Sequence, residues 1–235
     1  DLLLLDLPGH GRSAHLPPAA DYRLDTYVHA VLDAADALGW KRFAVLGHSM
    51  GAAVACVLAA AVPARVERLA LVENVGPLAE AVEATAARLR QGVAALRVLA
   101  GKALRVFPDL EVAVRARLQA SPMEEANARL LVERGTRAVA GGYTWRSDPR
   151  LTVPAPFRLA EEQVVALLAS VECPVHVVYA RQAQPYFPEA LRQARLAALP
   201  AATLTVLDGG HHLHMDRPAE VAAALGGFLA GSARA

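Results

Sequence analysis

The chain has few cysteines and almost no net charge, and each shortage excludes a class of protein. Among its 235 residues, Cys56 and Cys173 are the two cysteines, far apart in apolar segments, so we expect reduced thiols and no disulfide framework. The formal net charge of +1 gives no electrostatic footprint for nucleic acid or an anionic membrane. We therefore expect a cytoplasmic protein whose partner is a small molecule, with no nucleic acid and no membrane as partner. The sequence leaves its oligomeric state open.

Long apolar runs are also missing. The alanine-rich segment after Ser49 is cut by Pro63 before it reaches the roughly 20 residues that a membrane helix needs. The apolar opening at residues 1–6 has no basic region before it and no cleavage site after it, which predicts no signal peptide. What remains is a chain with 54% hydrophobic and 20% charged residues, long enough for one large α/β domain.

Strand and helix patterns alternate along most of the chain. We predict strands at 1–6, 42–46, 67–73, 175–179 and 203–207, and helices at 25–38, after Ser49, at 161–171, at 189–199 and from Pro218, with Asp25 as the first helix cap. Between residues 76 and 159 the pattern changes to amphipathic helices, through about residue 134, with no strand pattern. The prediction is one α/β domain over 1–235. Its mostly parallel sheet, flanked by helices, is formed by 1–75 and 160–235, with a helical cap inserted at about 76–159.

The segment Gly47-His48-Ser49-Met50-Gly51 places a serine between two glycines, at the junction of an apolar strand and a helix of small residues. This pattern is typical of a nucleophile elbow. The turn is so sharp that we expect Ser49 to be strained and both glycines to relieve collisions. The elbow exposes the serine hydroxyl at a helix N-terminus, where the backbone N–H of Met50 is a candidate oxyanion donor.

Three segments carry a family resemblance: residues 6–13 (Asp-Leu-Pro-Gly-His-Gly-Arg-Ser), the elbow, and Gly209-Gly210-His211 followed by Pro218. They resemble the landmarks of the α/β-hydrolase superfamily. Residues 145–151 and 211–215 are most similar to its serine hydrolase-like subgroup. The resemblance implies that His211, seven residues before Pro218, is the catalytic base and that neither a metal nor an organic cofactor is needed. The competing interpretation is a metal site built from His211, His212, His214 and Asp216.

The resemblance also implies an aspartate in the loop after the penultimate strand, but residues 180–185 contain no carboxylate. We predict that Glu73 is the acid instead. It ends the strand after the elbow helix, where some superfamily members place the acid, and it keeps the chain order serine, acid, histidine. Asp148 is the alternative, although an ion pair with its neighbouring arginines is the simpler interpretation of that residue. Asp208 is too close to His211 along the chain to reach its ring readily.

The resemblance further implies three strands before residue 1 and a His-Gly loop that supplies half of the oxyanion hole. The sequence begins at Asp1 and has neither. We expect either that it is a fragment of a longer protein, N-terminally truncated, or that the strand at 1–6 pairs directly with the elbow strand in a smaller sheet. In both cases the N–H of Met50 is the oxyanion donor that the sequence provides.

The function that these residues predict is a serine hydrolase acting on an ester or related carbonyl through an acyl-enzyme. His48 and the cap aromatics Tyr143, Trp145 and Phe157 are candidate lining residues of a pocket for a hydrophobic substrate, although ordinary core packing explains the aromatics equally well. A carbon-carbon bond hydrolase, an acyltransferase or a cofactor-free haloperoxidase would use the same catalytic residues. A non-catalytic ligand- or partner-binding protein is the alternative from another class.

Overall fold

A computed structural model describes residues 1–100 and 104–231 of the chain. Residues 101–103, which fall inside the predicted cap, and residues 232–235 lie outside the described residues. The chain divides into two units. We call Leu32–Val82 with Arg158–Ala235 the sheet unit, and Asp1–Val31 with Glu83–Phe157 the helical unit.

The described residues contain the strands β1 (Phe43–His48), β2 (Val66–Val72), β3 (Thr136–Val139), β4 (Gly142–Trp145), β5 (Val175–Ala180) and β6 (Ala202–Leu207). In the sheet unit, four of them form a parallel sheet in the order β1-β2-β5-β6. The register pairs His48 with Val72 and Val72 with Val178, so the carboxyl ends of three strands meet at one edge. The predicted strands near residues 42, 67, 175 and 203 are thereby confirmed.

The helices are α1 (Leu24–Ala37), α2 (Met50–Ala61), α3 (Thr85–Ala100), α4 (Leu110–Ala120), α5 (Glu125–Gly135), α6 (Glu161–Ala169), α7 (Glu189–Ala198), α8 (Leu213–Asp216) and α9 (Pro218–Leu229). All of the predicted helices are present. The prediction that Asp25 caps α1 is wrong. The helix already begins at Leu24, and the Asp25 carboxylate pairs with Arg23 at 3.1 Å. Among the helices described, none is both long and apolar enough to span a bilayer.

Small residues let the helices of the sheet unit approach the strands closely. Most of α2 is buried, through alanines together with Val54, Cys56 and Leu58. On another part of the sheet, Val221 and Leu225 of α9 pack on alternate, fully buried β2 residues such as Val72. Burying these side chains contributes roughly 1.5 to 3 kcal/mol for each large aliphatic residue, so the strand ends that carry the site are well anchored.

The helical unit contains α3, α4, α5 and an antiparallel hairpin of β3 and β4, which the sequence did not predict. Each strand has four residues, too few for a period-two pattern to stand out from the surrounding amphipathic helices. The connection between β3 and β4 contains Gly141 and Gly142, both with positive φ. A Cβ at Gly142 would collide with the backbone carbonyl of Phe107. Phe107 and Tyr143 exchange two backbone hydrogen bonds of 2.8 Å.

The predicted strand at residues 1–6 is wrong. The segment forms no ladder in the described part of the chain, and Leu2 and Leu4 are 84% and 86% exposed. The expected smaller sheet, with this segment on β1, is wrong as well, because β1 pairs only with β2 among the described strands. Asp6 is instead held by Arg134, with two hydrogen bonds of 2.8 Å.

Candidate active site

Ser49 lies at the junction between β1 and α2 in a strained backbone conformation, with φ 53° and ψ −114°. Its N–H donates to the Val72 carbonyl at 3.0 Å, and its own carbonyl accepts from the N–H groups of Ala52 and Ala53. Strand pairing on one side and the first turn of a helix on the other therefore fix the strained residue. The side chain is presented at the carboxyl edge of the sheet, beside the N-terminus of α2.

The two glycines of the elbow are not equivalent. A Cβ on Gly47 would lie 2.6 Å from the Ala52 nitrogen and closer still to the Gly51 carbonyl, so only glycine fits there. A Cβ on Gly51 would meet nothing within 4 Å apart from the backbone of its own helix. The expectation that both glycines relieve collisions is therefore right for Gly47 and wrong for Gly51, which points away from the crowded side of the turn.

His211 lies in the loop after β6, and its Nε2 is 2.9 Å from the Ser49 Oγ. Its Nδ1 is 3.6 Å from the Glu73 Oε2. This separation is longer than a hydrogen bond, and the His211 Nδ1 has no hydrogen-bond partner among the described residues. A proton on Nδ1, next to the carboxylate, would leave Nε2 free to accept the proton of the serine hydroxyl. The structure thus brings together the three side chains that the sequence singled out as nucleophile, base and acid.

Glu73 follows the last residue of β2 and adopts a left-handed conformation, with φ 62°. Among the described non-glycine residues, only Ser49 also has positive φ. The Glu73 side chain is fully buried. Its Oε1 accepts a hydrogen bond from the N–H of Ala180 at the end of β5, and its Oε2 lies 3.5 Å from the Arg192 Nη2. Backbone strain at two residues that face the same histidine is typical of a functional site, where surrounding contacts hold the strained residues in place.

Asn74, the next residue, was missed by the sequence analysis. Its side-chain amide donates to the Ser49 carbonyl at 3.0 Å and so supports the elbow from the β2 side. Arg192 was missed as well. The only sequence signal for Arg192 is its spacing of three from Arg195 on α7, which places two arginines on one face of that helix.

His48 packs against the loop of His211 rather than projecting from the elbow. Its Nε2 donates to the His211 carbonyl at 2.7 Å, and its ring centroid is 4.1 Å from that of His214. Burial, and next the charge of His214, lower the pKa of His48 to about 3, and burial also lowers the pKa of His214. These rings therefore stay neutral at physiological pH and orient the His211 backbone. No group of three or more metal-ligating side chains is arranged around a common point within the described residues.

The other predicted site residues lie on identified elements. Met50 is the first residue of α2, where a helix leaves its N–H without an intrahelical acceptor. Tyr143 and Trp145 belong to β4 in the helical unit, and the Trp145 ring packs edge-on against Phe107 at 5.3 Å. That contact is ordinary core packing, and a substrate-lining role for these residues stays a prediction.

The alternative acids are engaged elsewhere. The buried carboxylate of Asp148 pairs with Arg150 at 2.8 Å and accepts a hydrogen bond from the Tyr22 hydroxyl. Burial alone would raise the pKa of Asp148, but the hydrogen bonds from Arg150 lower it to about 2. Asp208 pairs with Arg181 at 2.7 Å on the exposed surface. Ion pairing, the simpler interpretation of Asp148, is what the structure contains.

Comparison with known proteins gives a consistent set of relatives. The serine hydrolase-like protein of Dictyostelium discoideum is 29% identical over 92% of this chain and 63% of that protein, and that of Danio rerio is 28% identical over 96% and 72%. The crystal structure of a hypothetical protein from Pseudomonas aeruginosa PAO1 is 42% identical, with a TM-score of 0.86 over 95% of this chain and 79% of the other.

A thioesterase domain from the curacin biosynthetic pathway is 28% identical, with a TM-score of 0.79 over 92% of this chain and 78% of that one. The chain thus spans less than two thirds of the Dictyostelium relative and more of the others. The predicted resemblance to α/β-hydrolases, and among them to the serine hydrolase-like subgroup, is confirmed. Residues 1–218 match the alpha/beta hydrolase fold, and the chain belongs to that family.

Proposed function

We propose that the protein is a serine hydrolase that cleaves an ester or thioester through an acyl-enzyme. The observation that carries the proposal is the chain of contacts from the Ser49 Oγ to the His211 Nε2 at 2.9 Å and from the His211 Nδ1 to the Glu73 Oε2 at 3.6 Å. The curacin thioesterase domain supports including thioesters among the substrates.

In the proposed mechanism, His211 accepts the Ser49 hydroxyl proton as the serine oxygen attacks the substrate carbonyl. The Met50 N–H, at the N-terminus of α2, donates to the oxyanion as the carbonyl bond order falls. His211 then passes its proton to the leaving oxygen or sulfur. A water molecule then attacks the acyl group while His211 accepts one of its protons. His211 returns that proton to the Ser49 Oγ as the bond from the serine to the acyl group breaks, which releases the acid and free Ser49.

Glu73 has the electrostatic role in this scheme. Its buried carboxylate lies 3.6 Å from the His211 Nδ1 and stabilises the imidazolium that forms in each half-reaction. In this proposal the substrate is a small hydrophobic molecule. The free, buried Cys56 and Cys173 support a reducing, cytoplasmic location.

A fluorophosphonate tests the nucleophile, since it forms a covalent adduct only with an activated serine. The protein in its native full length is labelled, digested and mapped by mass spectrometry. We expect an adduct on Ser49 that is absent from Ser49→Ala. A folded protein with no adduct on Ser49 would favour the non-catalytic binding protein instead.

A matched pair of substitutions tests the acid. Glu73→Gln is expected to lower kcat for a p-nitrophenyl ester by about 10⁴-fold, the scale seen when a triad carboxylate becomes an amide. Asp148→Asn, which changes an equally buried carboxylate in an ion pair, should leave kcat of the folded enzyme unchanged. The assignment of Glu73 is wrong if the Asn variant loses activity and the Gln variant keeps it.

A further inference from the structure

Arg192 is a buried cation beside the proposed acid, and the mechanism above does not use it. It lies on α7, and its side chain is 1% exposed. The Nη1 donates to the Ala180 carbonyl at 2.7 Å, the Nη2 lies 3.5 Å from the Glu73 Oε2, and the guanidinium stacks 4.4 Å from the Tyr179 ring centroid. Its Nε has no hydrogen-bond acceptor among the described residues.

The contacts form a closed ring that passes through the backbone of one residue, Ala180. Ala180 donates its N–H to the Glu73 Oε1 and accepts from Arg192 with its carbonyl, and Arg192 returns to Glu73 through Oε2. The same Oε2 faces the His211 Nδ1. One carboxylate oxygen is therefore shared between a permanent cation and the imidazole that must become cationic during turnover.

A carboxylate removed from water is costly unless an opposite charge compensates it. At Glu73 the compensation has to be built in, because His211 is neutral for part of each cycle. We propose that Arg192 is the positioning residue of the acid, since its guanidinium neutralises Glu73 and fixes the rotamer that aims Oε2 at His211. This inference rests on the proposed function of Ser49, His211 and Glu73.

Few other groups near this pair carry charge at neutral pH. Glu73 is also faced by Tyr179 of β5 and by Tyr186 in the following loop, and burial raises the pKa of both phenols, so they stay neutral. His211 is faced by His48, His212 and His214, and burial lowers the pKa of the first and the last of these. The Arg195 guanidinium, whose charge acts on Tyr179, is paired with Glu161 at 2.7 Å.

Arg195 provides a matched control. It is on the same helix, its side chain is 0% exposed, and it too combines an ion pair with backbone carbonyls, those of Val75 and Pro77. It differs from Arg192 in making no ion pair with Glu73. Both Arg192→Met and Arg195→Met remove a buried guanidinium from backbone carbonyls and from a carboxylate, but only the first alters the surroundings of the acid.

The experiment measures kcat and KM of the full-length protein for p-nitrophenyl butyrate across pH, in Arg192→Met, Arg192→Lys and Arg195→Met. For Arg192→Met we expect kcat to fall by up to about 100-fold, with KM nearly unchanged, because the Arg192 side chain is buried behind the acid. The acid limb of the profile should move up by about one pH unit, since a nearby cation that opposes protonation of the pair is gone. Arg192→Lys should restore part of both effects, and Arg195→Met should lower stability without moving the limb.

A double substitution keeps the test decisive if Arg192→Met does not fold. Glu73→Gln with Arg192→Met removes both charges, leaves no orphaned ion, and should fold. If Arg192 acts through Glu73, the double variant has the same kcat as Glu73→Gln alone. A further drop in the double variant, a wild-type acid limb in a folded Arg192→Met, or an equal shift in Arg195→Met each overturns the proposal.

One readout needs no turnover. The pH midpoint at which the His211 ring takes up its proton, followed by NMR, should shift to higher pH in Arg192→Met, and by less in Arg192→Lys, relative to the wild type. If the wild-type protein neither labels at Ser49 nor hydrolyses the ester, the proposed function fails, and this titration still decides whether Arg192 is coupled to His211. An unchanged midpoint for the His211 ring in folded Arg192→Met refutes the coupling.

Discussion

Alanine at Gly47 and alanine at Gly51 should have opposite effects, although both glycines belong to the same motif. At Gly47 the new Cβ would lie 2.6 Å from the Ala52 nitrogen, against an ordinary contact of about 3.4 Å or more. The obstacle is backbone, which no rotamer change can move aside. Either the strand-helix junction opens or the Ser49 turn relaxes, and overpacking of this kind costs about 3 kcal/mol.

At Gly51 the new Cβ enters open space in the first turn of α2. Alanine also loses less backbone entropy on folding than glycine, so this substitution should stabilise the protein by roughly 0.5 to 1 kcal/mol. The free-energy difference between the two variants is therefore expected to be close to 4 kcal/mol, from the same one-atom change at two positions four residues apart.

Equilibrium unfolding in urea, followed by far-UV circular dichroism, measures both free energies. The rate of fluorophosphonate labelling at Ser49 measures whether the elbow survives in the fraction that stays folded. We expect Gly47→Ala to label slowly even where it is folded and Gly51→Ala to label at the wild-type rate. The steric account is refuted if Gly47→Ala unfolds at the same urea concentration as the wild type, or if Gly51→Ala loses as much stability.

Two further predictions concern pH. Because the pKa of Asp148 is about 2 in the folded state, its ion pair stabilises the protein fully above about pH 4 and loses this effect as the pH falls toward 2. Asp148→Asn should therefore lose about 3 kcal/mol of unfolding free energy at neutral pH. In urea titrations, its unfolding free energy should also change less than that of the wild type as the pH is lowered. The pKa of His48 is about 3 in the folded state, against 6.5 for the free side chain, so between these pH values the unfolded state binds one more proton than the folded state. The neutral ring therefore contributes stability above pH 6.5, and this stability is lost as the pH falls toward 3. His48→Gln should remove that slope, and Tm measured against pH would contradict this if the slope persisted.

Features that depend on local periodicity were predictable from the sequence. The buried strands around Val72 and Val178 are short apolar runs, and the elbow combines such a run with Gly47, whose missing side chain is a steric requirement. His211 could be placed because the family resemblance implies a histidine seven residues before Pro218. Each of these depends on residues close together in sequence.

Features that depend on long-range partners were not predictable. Residues 1–6 have the composition of a strand, but pairing requires an edge that composition does not encode. Asn74 and Arg192 act at distances of 25 and 119 residues along the chain from Ser49 and Glu73, respectively. An arginine in an amphipathic helix is most simply interpreted as a solvated side chain, and only the tertiary structure places this one against a buried carboxylate.

The position of Glu73 gives a physical reason why an acid can be supplied by β2 when the loop after β5 has none. The two strands are neighbours, about 4.8 Å apart, and the pairing of Val72 with Val178 brings their carboxyl ends to the same height. The left-handed turn at Glu73 directs the carboxylate to the end of β5, where the Ala180 N–H binds it. The Glu73 carboxylate is fully buried there, and a buried carboxylate is costly unless a cation lies beside it. Arg192, one turn into the helix that follows β5, is that cation, so an acid on β2 and an arginine on α7 form a single functional unit.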